Sequence, residues 1–201
     1  LFRSIDYAKN IHSLWLDKDN SLWLGLFLKG ALHYIPHLNH TVDYNLLSEE
    51  VSSGFCIIED KNDHVWYGGP SGLFLIDKKK ANARPEKISP LRIFNLVQFN
   101  DSILWAGTRK GSMFQINTRT LKVTSLPILP HTDLYVTYIY PDSHQRIWIG
   151  TDNNGLYVSD RNGSIIASYS KEQLGSNAIK GIIEDEMNNI WVGTGSGLCC
   201  I

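Results

Sequence analysis

Cysteine is scarce in this chain: three in 201 residues, at Cys56, Cys199 and Cys200. An odd count with two adjacent members argues against a disulfide scaffold, and a bridge between neighbours would be strained. The expectation is therefore three small buried hydrophobes, with Cys199 and Cys200 facing opposite ways on one strand. Charge of one sign is missing too. Nineteen Lys and Arg against twenty Asp and Glu leave a formal charge of −1, which gives no basic field for nucleic acid or for an anionic membrane. The longest apolar run, Leu22 to Leu28, falls far short of the roughly 20 residues of a membrane-spanning helix. No signal-peptide pattern opens the sequence, so localisation is not written in it. The first residue is not methionine and the last five, Gly197 to Ile201, read as the interior of a strand. An excised piece of a longer polypeptide is the expectation.

What the chain does have is a repeat. Trp23, Trp66, Trp105, Trp148 and Trp191 follow one another at intervals of 43, 39, 43 and 43 residues. Each is followed two positions later by glycine: Gly25, Gly68, Gly107, Gly150 and Gly193. A period near 40 with strand-like content is that of blades in a β-propeller. In Arg146 to Thr151 a period of two puts Trp148 and Gly150 on one face and Ile147, Ile149 and Thr151 on the other. Both faces are largely apolar, so the strand must be covered on both sides, as neighbouring blades would cover it. Glycine beside tryptophan leaves room for a side chain of the next sheet, and the tryptophans read as packing residues.

Four turns open with an aspartate six residues before the tryptophan: Asp17, Asp60, Asp142 and Asp185. Such a carboxylate fixes a hairpin by accepting backbone N–H groups about two residues on. The third unit has Phe99 there and a turn of Asn100, Asp101 and Ser102, which predicts a hairpin one residue shorter. Gly30, Gly72, Gly111, Gly155 and Gly197 mark the next turn, where positive φ is needed. Fourth strands are expected around Thr41 to Tyr44, Glu86 to Ser89, Val123 to Leu126 and Ser164 to Ser168. The fold class is thus all-β, a propeller of five four-stranded blades in one domain, 1–201. It is either a closed five-bladed ring or a partial arc of a larger, seven-bladed one. Leu1 to Tyr7 reads as the fourth strand of a terminal blade that would seal such a ring.

Candidate chemistry is sparse. His33, His37 and His40 lie close enough in sequence to reach one zinc ion, but no carboxylate or cysteine joins them before Asp43, and solvated loop histidines are the better reading. Gly68-Gly69-Pro70-Ser71-Gly72 lacks the lysine and following helix of a phosphate loop. A propeller glycosidase or lyase would need a convergent arginine cluster with a tyrosine or acidic partner. The arginines (Arg3, Arg84, Arg92, Arg109, Arg119, Arg146 and Arg161) are scattered, and the carboxylates sit mostly in turns. No catalytic residue, metal or cofactor is assigned.

These units resemble the two-component regulator propeller repeat, whose pattern is an Ile-rich strand, Glu-Asp, a polar turn, Trp-Ile-Gly-Thr, then Gly-Leu and an aromatic. Ile182 to Thr194 and Ile147 to Tyr157 fit closely; the second unit reads Trp66-Tyr67-Gly68-Gly69 and the third has Gly111-Ser112 in place of Gly-Leu. The resemblance implies the periplasmic sensor region of an inner-membrane hybrid two-component regulator of Bacteroidetes. There, paired seven-bladed propellers precede a β-sandwich, a membrane helix and a histidine kinase, and oligosaccharides are sensed. It implies a noncatalytic segment whose partners are an oligosaccharide, neighbouring propeller or β-sandwich domains of the same polypeptide and a second receptor copy. Nucleic acid is not among them, and the membrane is reached only through the parent protein.

Alternatives are a structural spacer or docking module and, third, a propeller enzyme. Propeller function sits on loops at one face, where the loops between second and third strands meet the links between blades. That face would collect Lys29, Ser71, Arg109, Lys110, Asp152, Asn153, Asn154 and Ser196, with Glu49, His131, Asp133, Tyr135 and Glu172 from the links. Arg109, Lys110, Asp152, Asn153, Asn154 and Tyr135 are the candidate ligand residues, the two cations being suited to sulfate or uronate.

Overall fold

The computed structural model describes residues 10–27, 30–38, 40–44, 53–80, 83–109, 112–126 and 134–201. The chain divides into two compact units, Leu1–Ile93 and Phe94–Ile201. In the first, β1 (Ile11–Leu16), β2 (Leu22–Leu26), β3 (Gly30–Ile35) and β4 (His40–Asp43) form one sheet, and β5 (Cys56–Glu59), β6 (His64–Gly69), β7 (Gly72–Asp77) and β8 (Glu86–Ser89) form another. In the second, the sheets are β9 (Asn95–Asn100) with β10 (Ile103–Gly107), β11 (Met113–Asn117) and β12 (Val123–Ser125), then β13 (Val136–Pro141) with β14 (Ile147–Thr151), β15 (Leu156–Ser159) and β16 (Ile165–Tyr169), and last β17 (Ile179–Glu184), β18 (Ile190–Thr194) and β19 (Gly197–Cys200). Every sheet is an antiparallel meander in chain order, which is how a propeller blade is built. A single helical turn, α1 (Lys171–Leu174), lies between β16 and β17.

The tryptophan face of one blade packs on the opposite face of the next. Trp148, Leu156 and Val158 meet Ile179, Ile182, Ile190 and Val192. Trp105 and Met113 meet Val136, Ile139, Ile147 and Ile149. In the first unit Trp23 and Ala31 meet Ile57, Val65, Tyr67 and Phe74. The glycine two residues after tryptophan is what lets these sheets close up: a Cβ on Gly150 would stand 2.6 Å from Ile179 Cγ2, and one on Gly107 2.6 Å from Val136 Cγ1. The outer face of β17–β19 has no such cover among the described residues, and Ile183 and Leu198 are exposed there.

Each turn aspartate does more than fix its hairpin. Asp142 Oδ1 accepts the N–H groups of His144 (3.0 Å) and Arg146 (2.8 Å), while Oδ2 accepts the Trp148 indole N–H at 2.8 Å. Asp17, Asp60 and Asp185 hold Trp23, Trp66 and Trp191 in the same way, at 3.0, 2.8 and 2.8 Å. The buried indole thereby keeps a polar partner. A second device links blades: Glu59 Oε2 accepts the Lys18 N–H at 3.2 Å, and Glu184 Oε2 accepts the Ser143 N–H at 2.8 Å. The glutamate of the Glu-Asp pair therefore grips the turn of the preceding blade.

Three expectations need correction. The third hairpin is a residue shorter only at its tip: two residues separate the paired Asn100 and Ile103, against three between Asp142 and Arg146, while Trp105 still pairs with Val97, eight residues earlier, just as Trp148 pairs with Tyr140. Without an aspartate to hold an open turn, pairing continues to Asn100–Ile103 and Phe99 bulges out of register, its ring tilted 5.9 Å from that of Trp105. The histidines do not share a loop. His33 lies on β3, buried and stacked 4.1 Å from Trp23, whereas His37 is in a short 3-10 turn and His40 begins β4, both exposed. Cys56 is buried, but Cys199 is only half-buried and Cys200 exposed, because it faces the uncovered side of β19; all three are free thiols. Fourth strands fall within a residue of expectation, at His40–Asp43, Glu86–Ser89, Val123–Ser125 and Ile165–Tyr169. The proposed closing strand Leu1 to Tyr7, and Gly111, lie outside the described residues.

Candidate functional site

Arg109 follows β10 and Asp152 follows β14, each in a turn between the second and third strands of its blade, and Tyr135 lies in the link leading into β13. The structure brings these three together in the second unit. Arg109 and Tyr135 form an isolated antiparallel bridge, and the guanidinium sits 4.7 Å from the Tyr135 ring centroid, a cation–π contact. Phe94 meets the same ring edge-on at 5.2 Å. Asp152 Oδ1 accepts the Tyr135 N–H at 2.9 Å, and Tyr135 O accepts the Asp152 N–H at 3.1 Å. Arg109 and Asp152 are thus each engaged with Tyr135. Lys110, Lys29, Glu49, His131 and Asp133 lie outside the described residues.

Asn153 and Asn154 turn to a different place. They line a cavity of about 320 Å³ together with Tyr157 of β15, Ser168 and Tyr169 of β16, Ser170 and Asn177. Gly155, at φ 80°, closes the loop tightly; a Cβ there would stand 2.2 Å from Tyr169 O. The far wall is set by α1. Gln173 Oε1 accepts the Ser170 N–H at 3.0 Å, and Asn177 Oδ1 accepts the Lys171 N–H at 2.7 Å. Burial raises the Tyr157 phenol above its ordinary value, partly offset by a hydrogen bond with Asn154. Sequence reasoning missed Tyr157, Ser168, Tyr169, Ser170 and Asn177, because they come from strands and a link that no motif ties together. The Ser170–Gln173 spacing of a helix start was the one available signal.

The first unit holds a charged cluster. Carboxylate oxygens of Asp17, Asp19 and Glu59 lie within 4.8 Å of one another, a spacing that suits a cation. Lys78 Nζ stands among them at 2.7, 2.9 and 2.9 Å. Burial raises the Asp17 carboxyl, but hydrogen bonds from Lys78, Ser21 and Trp23 outweigh it and hold the group well below the usual carboxylate range. Burial lowers Lys78 and its three carboxylate partners more than reverse that. The ammonium supplies the charge that a metal would bring.

The comparisons with known proteins agree with this blade architecture. Residues 131–153 and 173–196 match the two-component regulator propeller. Two stretches of the chain are thus similar to that repeat. A histidine kinase P4 of Formosa agariphila is 27% identical over 168 residues, which is 74% of this chain and 12% of that protein. The extracellular domain of a hybrid two component system from B. thetaiotaomicron superposes with TM-score 0.83 at 22% identity, covering 100% of this chain and 28% of that one. The β-propeller domain of Cps50 (Swd1) from Myceliophteria thermophila gives 0.72 at 14% identity, covering 96% of this chain and 64% of that one. The chain thus spans a small share of the curated relative and of the solved extracellular domain. The fold is that of a β-propeller.

Proposed function

We propose that this chain is a noncatalytic, extracytoplasmic sensor segment of a hybrid two-component regulator and contributes to oligosaccharide recognition. The observation that carries the reading is the polar cavity framed by Asn153, Asn154 and Asn177 at the loop end of a blade. Amides and hydroxyls there match the paired donors and acceptors of sugar hydroxyls. Its chemistry favours binding over reaction. The lining residues include no carboxylate pair for acid–base work, and Tyr157, with its raised phenol, stays protonated and a poor nucleophile. On this reading the segment is part of a longer periplasmic receptor, beside further propeller or β-sandwich domains and a second copy; its covering only 28% of a solved extracellular domain supports the longer chain.

Calorimetric titration with an oligosaccharide panel, followed by mass analysis of the recovered sugar, tests this. Binding that weakens in Asn153→Ala and Asn154→Ala, with the sugar returned intact, is the expected result. Cleaved product overturns the noncatalytic reading, and absence of binding overturns the sensing one. A second reading, a docking or spacer module, is favoured by the exposed apolar side chains Ile183, Met187 and Leu198; it expects no sugar binding and association with a protein partner.

A further inference from the structure

The cavity beside α1 carries information about its ligand's charge. Its side chains are amides, hydroxyls and phenols: among the described residues no Asp, Glu, Lys, Arg or His lines it. The ionised groups stand at its margins. Asp152 precedes Asn153 and is held by Tyr135. Glu172 accepts a hydrogen bond from Ser170, itself a lining residue, and is kept below its ordinary value by that bond first. Lys171 is exposed at the start of α1, and its ammonium is the weakest of the influences on Glu172. Arg109, the cation suited by sequence to sulfate or uronate, lies over the Tyr135 ring.

An anionic group entering this cavity would lose hydration among neutral dipoles, with Lys171 and Glu172 of opposite charge side by side at the start of α1. Nothing in the lining would repay that with a charge-assisted bond. A neutral hydroxyl-bearing ring meets no such cost. Asn177 has its Oδ1 committed to the Lys171 N–H, so its Nδ2 group is presented as a donor, and Ser168 can both give and accept. The volume of about 320 Å³ lies at the lower end of small-molecule sites, which run from roughly 300 Å³ upward. It suits one ring of a chain rather than several.

We infer that this cavity is a subsite for a single uncharged sugar ring and discriminates against uronates and sulfated sugars. The inference rests on the sensing reading above. Titration with matched tetrasaccharides, hexose against the corresponding hexuronate (glucose and glucuronate, galactose and galacturonate), tests it. The neutral member should bind about tenfold tighter or more, a gap of about 1.4 kcal/mol. Asn177→Leu should weaken neutral binding about tenfold, as expected for the loss of a hydrogen bond from a half-buried side chain. Glu172→Lys, an exposed change compatible with folding, should raise uronate affinity up to about fivefold relative to the neutral sugar at low salt. Uronate binding as tight as neutral binding, or neutral binding indifferent to Asn177→Leu, overturns the inference while leaving the sensing reading in place. Failure of both members of every pair overturns both.

Discussion

Asp142 and Trp148 are joined by a 2.8 Å hydrogen bond from the indole N–H to a carboxylate oxygen whose side chain is fully buried. The same carboxylate holds the backbone of the turn that leads to the tryptophan. One side chain thus couples the hairpin to the core between two blades. The pairing recurs at Asp17 with Trp23, Asp60 with Trp66 and Asp185 with Trp191.

Asp142→Ala should therefore cost more than a turn-capping bond, about 2–3 kcal/mol, because it orphans a buried indole N–H and two backbone donors together. Trp148→Ala should cost about 3–5 kcal/mol through the cavity it leaves. Urea unfolding of both variants measures this. An Asp142→Ala cost near zero would mean that water replaces the carboxylate.

Trp105 is the exception, its Nε1 buried without a partner among the described residues. Trp105→Phe should for that reason be milder than Trp148→Phe by about 1–2 kcal/mol, since only the latter breaks a hydrogen bond and strands its acceptor. Paired denaturation midpoints decide it; equal losses would show that Trp105 has found a partner in solution.

Gly150 and Gly193 hold the same place in adjacent blades and face different surroundings. A Cβ at Gly150 would stand 2.6 Å from Ile179 Cγ2, whereas at Gly193 the nearest atom is 3.8 Å away. Gly150→Ala should destabilise by about 1–3 kcal/mol through overpacking, and Gly193→Ala should stay within about 0.5 kcal/mol. Thermal unfolding of the two variants checks the contrast, and equal effects would refute the close-packed seam.

Acid should weaken the fold through the turn aspartates. Hydrogen bonds from Asn189 and then Trp191 lower the Asp185 carboxyl from 3.8 to about 2. Burial raises Asp142, but bonds from Trp148 and Arg146 bring it below its ordinary value. A depressed carboxyl contributes stability that is complete above the unfolded value and disappears as pH falls from there through the folded one. Stability should thus hold above about pH 4 and decline towards pH 2, and Asp185→Asn should flatten part of that slope. Urea midpoints at pH 5, 3 and 2 test this; an unchanged slope in the variant would assign the acid sensitivity elsewhere.

Removing Lys78 should leave Asp17 buried beside two further carboxylates. Lys78→Met is expected to cost about 3–5 kcal/mol, the range for breaking a buried pair from one side. Part of this loss should return at millimolar Ca²⁺, since the three oxygens are spaced for a cation. Midpoints with and without Ca²⁺ measure both effects, and a variant as stable as the parent would show that the ammonium contributes nothing net.

The blade was legible because its signals are local and repeated. Tryptophan, glycine two residues on and aspartate six before all sit within one hairpin, so spacing alone located the turns, and the fourth strands fell within a residue of expectation. In the third hairpin the shorter turn was legible but the Phe99 bulge that compensates for it was not, because only cross-strand pairing shows it. His33 reads as a loop residue beside His37 and His40, and only the pairing of β3 through Ile35 shows the ring buried on Trp23.

By itself the sequence determined the period, the all-β class and which face of each strand must be covered, since side-chain alternation and turn chemistry act between near neighbours. Tertiary structure decided the rest. Ile179 reaching into the space beside Gly150, Glu184 holding the turn at Ser143 and Asn177 meeting Asn153 and Asn154 across a cavity all join residues about 25 to 40 apart. Those contacts depend on how one rigid sheet stacks on the next, and no local propensity encodes the offset of that stacking.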